Sequence, residues 1–226
     1  MRLRQHLQTL PVVGALATRV YGSLKGFRPF PGSVAYWERR YRSGGNSGAG
    51  SYSKFAEYKA AMINAVAEHS IRSVIEFGCG DGNQLRLAVY RKYLGLDVSA
   101  AAIALCKSAF SSDRTKSFRT LQEYAGDQAE LGLSLDVVYR LIENDVFSRH
   151  IGLLFRAATR YVIIYSSNTD RNSGHDGEHV FHRRFTDYVA TQIPEWRLAR
   201  HIANKYPYTG NPLTGSFADF YIYEKV

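Results

Sequence analysis

The residue types best suited to chemistry are carboxylates placed around a run of alternating glycines. The run consists of Gly78, Gly80 and Gly82; Glu76 precedes it and Asp81 lies inside it. Glycines let the backbone turn tightly and approach a ligand, and the first N–H groups of a following helix can donate to that ligand. The spacing differs from the Gly-x-Gly-x-x-Gly of dinucleotide-binding turns, which cradle a pyrophosphate. Because carboxylates repel phosphate, this loop favours a ligand that carries positive charge.

Asp97 is a further acid, and it ends the apolar run 93–97. Open α/β sheets bind ligands beyond the carboxyl ends of their strands, and an acid there can accept hydrogen bonds from both ribose hydroxyls. NAD-binding folds share this device, so Asp97 alone does not discriminate between cofactors, whereas Glu76 with the glycine spacing does. Asp97 or Ser99 also fits the N-cap of the next helix.

Residues 76–82, Glu-Phe-Gly-Cys-Gly-Asp-Gly, resemble the first motif of class I S-adenosylmethionine-dependent methyltransferases, whose cofactor carries an ammonium and a sulfonium. The resemblance implies that Asp97 holds the cofactor's ribose and that Val98 packs on its adenine. Gln122 or Glu123 is expected to contact the adenine edge. The residues expected around the methionyl end are Glu76, Phe77, Gly78, Cys79, Gly80, Gly82 and Asn83.

Three further positions extend the expected cofactor site. Asp136 resembles the acid that begins the family's fourth motif, and we expect it to open the fourth strand. Tyr36, Arg40 and the glycine-rich loop 44–50 are expected to close over the cofactor's carboxylate. That last expectation rests on position and chemistry rather than on a motif, because irregular glycine-bearing loops often cover ligands.

The elements that must position these residues alternate between strand and helix. Apolar, β-branched runs predict strands at 74–77, 93–97, 117–121, 135–141, 161–166, 196–203 and 217–224. Helical periodicity predicts helices at 33–42, 55–70, 83–90, 100–110, 145–158 and 184–193. Alternation of this kind indicates a parallel sheet covered on both faces. The predicted fold is a Rossmann-like, doubly wound α/β domain with seven strands, an antiparallel last strand and an N-terminal helical extension.

Composition suits one domain with an appendage. The chain has 226 residues, 45% of them hydrophobic, so it can bury a full core and is not disordered as a whole. We predict a basic amphipathic arm at 1–32, a helix with a glycine- and serine-rich flap at 33–54, and the methyltransferase domain at 55–226. Residues 1–30 fit an interfacial membrane anchor, a partner-docking arm or a lid packed on the domain.

Charge and cysteine content limit the partners and the compartment. A formal charge of +9 fits an anionic substrate, an anionic membrane surface or nucleic acid, and it fits solubility alone equally well. Two cysteines are too few for a disulfide framework and have no zinc-ligand spacing. No apolar stretch of about 18 residues is present to span a bilayer. We therefore expect a cytoplasmic protein, with the arm allowing peripheral attachment to the inner face of a membrane.

Histidines gather in the loop after the fifth strand, at the rim where an acceptor would enter. His179 or His182 is expected to be the catalytic base, with Arg183 and Arg184 facing an anionic acceptor. The alternative is that these histidines, with His175, are ordinary solvated loop residues. A metal site is disfavoured by the irregular spacing and by the absence of an acid near residue 141, so none is predicted.

The acceptor is less determined than the cofactor. Many small relatives carry a histidine just after the fourth strand, where this sequence has Arg140. Overall, the chain resembles small bacterial methyltransferases of saccharide and surface-polymer modification, which implies O-methylation of a saccharide or another small or polymeric hydroxyl acceptor. Three alternatives stay open: RNA methylation, a non-catalytic cofactor-binding module that serves a partner enzyme, and a hydride-transferring oxidoreductase. Nucleic acid ranks lower because the charge is dispersed and no Asn-Pro-Pro-Tyr-like motif follows the fourth strand.

Overall fold

A computed structural model describes residues 30–67, 71–172 and 177–226. The chain divides into two compact units, 1–31 and 32–226, and the account below concerns the second. Nearly all of the predicted basic arm, the end of the predicted helix 55–70, and His175 lie outside the described residues. No helix within the described ranges has the length and apolarity needed to cross a bilayer.

The described elements alternate between helix and strand along most of the chain. The helices are α1 (Ser33–Arg42), α2 (Ser53–Ala67), α3 (Ala100–Ala109), α4 (Asn144–Ala157) and α5 (Phe185–Gln192). The strands are β1 (Val74–Phe77), β2 (Tyr93–Asp97), β3 (Lys116–Thr120), β4 (Ala129–Leu135), β5 (Ala158–Ser166), β6 (Trp196–Ile202) and β7 (Asp219–Lys225).

All seven strands belong to one sheet in the order β3-β2-β1-β4-β5-β7-β6. Strands β1 to β5 pair in parallel, whereas β7 pairs antiparallel with both β5 and β6. The predicted fold class, including the antiparallel last strand, is confirmed. Strand order reverses between β1 and β4, and a crevice forms at such a switch beyond the carboxyl ends of the strands.

The core lies on both faces of the sheet. Successive side chains of a strand point to opposite faces, and accordingly Val74 and Ile75 belong to different hydrophobic clusters. One cluster includes Ile151 and Leu154 of α4, and the other includes Ile103 of α3. All four residues of β1 are buried, which explains why its sequence does not alternate between apolar and polar residues.

The predicted position of the fourth strand is wrong. The β-branched and aromatic residues within 135–141 favoured a strand there, but β4 is Ala129–Leu135, which contains Gly132 and Ser134. Gly132 lies in a closely packed place, since a Cβ would lie 3.1 Å from the Ala158 Cβ. Ser134 Oγ is hydrogen-bonded to the His150 ring at 2.9 Å, so its burial is compensated. Asp136 therefore follows the end of β4 instead of opening the strand.

The predicted helix 83–90 is reduced to one 3-10 turn, Gln84–Leu87. Two side-chain bonds tie this turn to α2: the Gln84 amide donates to the Ala56 carbonyl at 2.9 Å, and the Asn64 amide donates to the Leu87 carbonyl at 3.2 Å. Residue 88 is already extended, with ψ 141°. The segment is held as a tight connection between the glycine loop and β2, and no helix follows.

Candidate active site

A cavity opens beyond the carboxyl ends of β1, β2 and β4, at the switch in strand order. Its volume is about 790 Å³, which includes open solvent at the mouth. The glycine loop, the residues after β2 and β4, and side chains of α1 form its walls. The predicted site residues that line it are Glu76, Phe77, Gly78, Cys79, Gly80, Asp97, Val98 and Asp136.

The glycine loop depends on glycine at two positions. Gly78 has φ +92°, its N–H donates to the Leu96 carbonyl at 2.7 Å, and a Cβ there would lie 2.4 Å from a Val137 methyl carbon. Gly80 has φ +57°, and a Cβ would lie 2.3 Å from the Ser47 hydroxyl oxygen. L-residues with side chains are strained at such φ values, and here the space is filled as well. The loop therefore keeps its backbone against the cavity.

Asp97 joins the end of β2 to the glycine loop. Its Oδ2 accepts the Gly80 N–H at 3.0 Å and its Oδ1 accepts the Ser99 N–H at 2.9 Å. Burial nevertheless raises the pKa of Asp97 to about 6. The N-cap of α3 is Ser99, whose hydroxyl accepts the Ala102 N–H at 3.1 Å. Asp97 is thus left facing the cavity.

Glu76 is the second buried carboxylate of the cavity. The Tyr93 hydroxyl donates to its Oε2 at 2.6 Å, and burial raises the pKa of Glu76 to about 7 against the lowering effects of Tyr93 and Lys59. Within the described parts of the chain, neither Glu76 nor Asp97 forms an ion pair. Two buried carboxylates that form no ion pair with the described residues make the cavity suited to a positively charged ligand.

The loop after α1 packs directly on the glycine loop through Asp81. Asp81 Oδ2 accepts the Ser47 N–H and the Tyr52 hydroxyl, each at 2.9 Å, and the Asp81 N–H donates to the Ser47 hydroxyl at 3.1 Å. Asn83 adds a bond from its amide to the Ser51 carbonyl at 2.7 Å. Asp81 and Asn83 therefore fix the covering loop instead of contacting a ligand.

The predicted cofactor residues that do not line the cavity are Tyr36, Arg40, Gly82, Asn83, Gln122 and Glu123. Arg40 Nε donates to the Asn46 carbonyl at 2.6 Å, and Gly82 packs against Phe110 and Cys106. Trp37 and Tyr41, one turn apart on α1, line it instead. The i, i+4 spacing of these two aromatic residues is the sequence signal that identifies this helix face.

Asp136 lies on the cavity floor in an ion pair. It adopts φ +61°, a left-handed conformation that Asp tolerates better than most residues. Lys59 Nζ contacts its Oδ2 at 2.5 Å and the Tyr139 hydroxyl donates to its Oδ1 at 2.7 Å. The sequence argument that no acid follows the fourth strand is thus wrong, because Asp136 occupies that place. Within the described residues no group of three metal-ligating side chains forms.

No protein-family model matches the chain, and no curated protein matches its sequence. Solved structures do match. N-methyltransferase NodS from Bradyrhizobium japonicum WM9, in complex with S-adenosyl-l-homocysteine, has a TM-score of 0.63 at 13% identity, covering 86% of this chain and 98% of its own. Magnesium protoporphyrin IX methyltransferase (ChlM) from Synechocystis PCC 6803, with bound SAM, has a TM-score of 0.61 at 14% identity, covering 88% and 100%. The methyltransferase domain of bacterial CtHen1-C has 0.57 at 17%, covering 75% and 97%.

The chain has the fold of class I S-adenosylmethionine-dependent methyltransferases. At these identities the similarity concerns the fold, and the neighbours differ in name: NodS is an N-methyltransferase, whereas ChlM is a magnesium protoporphyrin IX methyltransferase. The identity of the reaction must therefore come from the side chains of this methyltransferase fold rather than from its neighbours.

The two histidines expected to act as base differ in environment. His182 is buried, its Nδ1 is hydrogen-bonded to Ser167 Oγ at 2.7 Å, and its ring meets Phe217 edge to face at 4.7 Å. It does not line the cavity of the methyltransferase fold. His179 is half-buried, stacks on Tyr36 at 4.9 Å and meets Trp37 edge to face at 6.4 Å. Trp37 lines the cavity, so His179 lies beside its wall.

The arginines expected to face an acceptor are engaged elsewhere. Arg183 Nη1 and Nη2 donate to the carbonyls of Leu141 and Ile142 at 2.5 and 2.6 Å, which anchors the loop after β4. Arg184 lies 3.8 Å from Asp170 and 3.9 Å from Asp187. Arg140 lines the cavity in their place. The cavity of the methyltransferase fold is thus lined by a different arginine from the two that the sequence predicted.

Proposed function

We propose that the protein transfers a methyl group from S-adenosylmethionine, held in the cavity, to an acceptor at the cavity mouth. The observation that carries the proposal is the pair of buried carboxylates, Glu76 and Asp97, which face one cavity and form no ion pair with the described residues. The ammonium of this cofactor would compensate the charge of Glu76 and its ribose hydroxyls would donate to Asp97, whereas a pyrophosphate would add repulsion.

The lining residues fit each part of this cofactor. Glu76 would hold the ammonium, the Gly78–Gly80 backbone would lie against the methionyl chain, and Asp97 would accept from the ribose hydroxyls. Val98 and Leu121 supply apolar surface for an adenine ring. When bound, the cofactor supplies an activated methyl group on a positively charged sulfur. The presence of S-adenosyl-l-homocysteine in NodS and SAM in ChlM supports this assignment.

The residues of the chain mainly position the reactants and exclude water. Methyl transfer is an in-line displacement, and holding two reactants in line supplies a large part of the rate enhancement. Trp37 and Tyr41 form one wall, and the loop held by Asp81 covers the glycine loop next to them. The chain thus closes the cofactor side and leaves the side near residues 137–141 for the acceptor.

His179 is the better candidate for the base. Burial, with the charges of Arg140 and Arg40, lowers its pKa to about 4, so the imidazole is neutral at neutral pH. A neutral imidazole can accept a hydroxyl proton, and stacking on Tyr36 fixes the ring orientation. His182 holds the loop from within the core, through Ser167 and Phe217.

The acceptor that we propose is a hydroxyl of a saccharide. Tyr36 and Trp37 offer aromatic faces with polar tips near His179, which suits a sugar ring that is apolar on one face and hydroxylated at its edge.

The test is transfer of a tritiated methyl group from S-adenosylmethionine to a panel of neutral and acidic saccharides, with Asp97→Ala as the negative control. Label on a saccharide oxygen from wild type alone supports the proposal. Transfer to RNA or to amines with none to saccharides contradicts the acceptor assignment.

One observation favours a second candidate, a non-catalytic cofactor-binding module. The bases that line the cavity are otherwise engaged: Asp136 pairs with Lys59, and His150 Nε2 is hydrogen-bonded to Ser134 Oγ. If His179 is not used, the fold binds the cofactor without activating an acceptor. Tight cofactor binding, together with no transfer to any acceptor class in the panel, would favour this second function.

A further inference from the structure

Arg140 is placed in the cavity wall by aromatic rings. It ends the 3-10 turn Val138–Arg140, which follows β4. Its guanidinium carbon lies 4.6 Å from the centre of the Tyr139 ring and 5.9 Å from that of Trp37. Cation–π contacts orient a guanidinium but leave its N–H donors unsatisfied. The structure therefore holds five donors in a fixed place beside the cavity.

The other arginines near this site are already paired. Arg183 donates to backbone carbonyls and Arg40 donates to the Asn46 carbonyl, whereas Arg184 lies between two aspartates. The Arg140 guanidinium, in contrast, makes no hydrogen bond or ion pair with any residue that the structure describes. An arginine that lines a cavity and has no anionic partner is suited to bind one from a ligand.

We infer that Arg140 binds a carboxylate or phosphate group of the acceptor, so that the acceptor is an anionic saccharide or a comparably charged small molecule. The inference rests on the proposed function, because it names the substrate class of the same site. It also explains why the charged acceptor lies near His179, since both residues flank Trp37.

The cofactor's own carboxylate is the other source of such an anion. We assign the anion to the acceptor because Arg140 lies after β4, whereas the residues assigned to the methionyl end, Glu76 and the glycine loop, lie on and after β1. The cofactor's ammonium and carboxylate are bound to one carbon atom, so the carboxylate stays near Glu76. The guanidinium of Arg140, which follows β4, is then available to the acceptor.

Calorimetric titration tests this assignment with three ligands. S-adenosylhomocysteine and methylthioadenosine, which lacks the amino-acid end, are titrated into the free protein. Inorganic phosphate is titrated into the protein saturated with S-adenosylhomocysteine. The variants are Arg140→Gln and Arg140→Lys, and Arg200→Gln on the remote edge strand β6 is the control with the same charge change. Circular dichroism confirms that each variant is folded.

We expect Arg140→Gln to weaken phosphate binding about tenfold or more, because a charge-assisted pair is lost, while Arg200→Gln changes it little. Arg140→Lys should be intermediate, since it keeps the charge but loses the planar fork. Both nucleosides should bind all variants equally.

The inference is overturned if phosphate does not bind wild type, or if it binds Arg140→Gln as tightly as it binds wild type. It is also overturned if Arg140→Gln weakens S-adenosylhomocysteine but not methylthioadenosine. Failure of wild type to bind S-adenosylhomocysteine would instead refute the proposed function.

Discussion

Lys59 forms an ion pair with Asp136 although the lysine side chain has no solvent-exposed surface. Its ammonium lies 2.5 Å from Asp136 Oδ2 and 5.4 Å from the centre of the Tyr165 ring. The Asp136 side chain is 11% exposed and forms part of the cavity floor. The pair therefore connects α2 to the end of β4. It also holds Asp136 in its left-handed conformation, which turns the backbone directly after the last residue of β4.

Lys59→Met is expected to lower the free energy of unfolding by about 3 kcal/mol, because it leaves a mostly buried carboxylate without its cation. Urea denaturation followed by circular dichroism measures the change. Lys54→Met is the matched control, since Lys54 lies on the same helix and its ammonium donates to the Thr214 carbonyl in an exposed bond. Equal changes in the free energy of unfolding for the two substitutions would show that the buried ion pair stabilises the fold no more than the exposed bond of Lys54 does.

Asp81→Ala is expected to release the covering loop while leaving the sheet intact. The substitution removes the acceptor of the Ser47 N–H and of the Tyr52 hydroxyl. We expect exchange of the Ser47 amide hydrogen to accelerate about tenfold, which corresponds to loss of one or two hydrogen bonds. Hydrogen exchange followed by NMR measures it, and Asp113→Ala on the far side of α3 is the control. Unchanged protection of Ser47 would show that the loop is held by other contacts.

Binding of S-adenosylmethionine is expected to depend on pH through Glu76. Burial raises its pKa to about 7, so the carboxyl is largely protonated at pH 6 and ionised at pH 8. Because the cationic cofactor favours the ionised form, affinity should rise with pH and level off above about 7, changing about tenfold per unit below that value. Glu76→Gln should flatten the profile. If the affinity of Glu76→Gln varied with pH as that of wild type does, Glu76 would not be the carboxyl that binds the cationic cofactor.

The same shifts predict how the stability of the cofactor-free protein varies with pH. The pKa values of Glu76 and Asp97 are raised in the folded state, so folding favours their protonated forms. Their contribution to stability is complete below about pH 4 and is lost as the pH rises to about 7. In Glu76→Gln this loss should be smaller, and urea denaturation at a series of pH values measures the difference.

His179 and His182 are expected to respond oppositely to substitution by alanine. His182→Ala removes a buried ring packed on Phe217 and a bond to Ser167, so it should lower the free energy of unfolding by about 2 kcal/mol. His179→Ala should change stability little and abolish methyl transfer. Urea denaturation and the tritium assay on the same two proteins give both readouts. The reverse ranking would assign the catalytic role to His182.

Most of the fold follows from patterns that are local in sequence. Strands β1 and β2 were predicted at their observed bounds because largely buried parallel strands are mostly apolar, without an alternating polar face. Strand β4 was misplaced because it contains Gly132 and Ser134, which are explained only by contacts with Ala158 and His150 far along the chain. Local patterns do not record such tertiary contacts.

The candidate site follows the same division. Glu76, Asp97 and the glycine loop form a local motif, and the structure brings them together around one cavity. Arg140 was noted as a departure from a pattern, but its role depends on the aromatic rings that hold it. His182 was interpreted from its position in a loop, whereas the side chain turns inward to Ser167. The direction of a loop side chain is set by packing, which no spacing rule describes.

The most direct test of the central claim is calorimetric titration of S-adenosylmethionine, S-adenosylhomocysteine and NADH into wild type and Asp97→Ala. We predict micromolar binding of the first two ligands, a loss of about tenfold to a hundredfold in Asp97→Ala through the missing ribose contacts, and no binding of NADH. Asp113→Ala, which removes an exposed acid, should bind as wild type does. Binding of NADH without binding of the other two ligands would contradict the account.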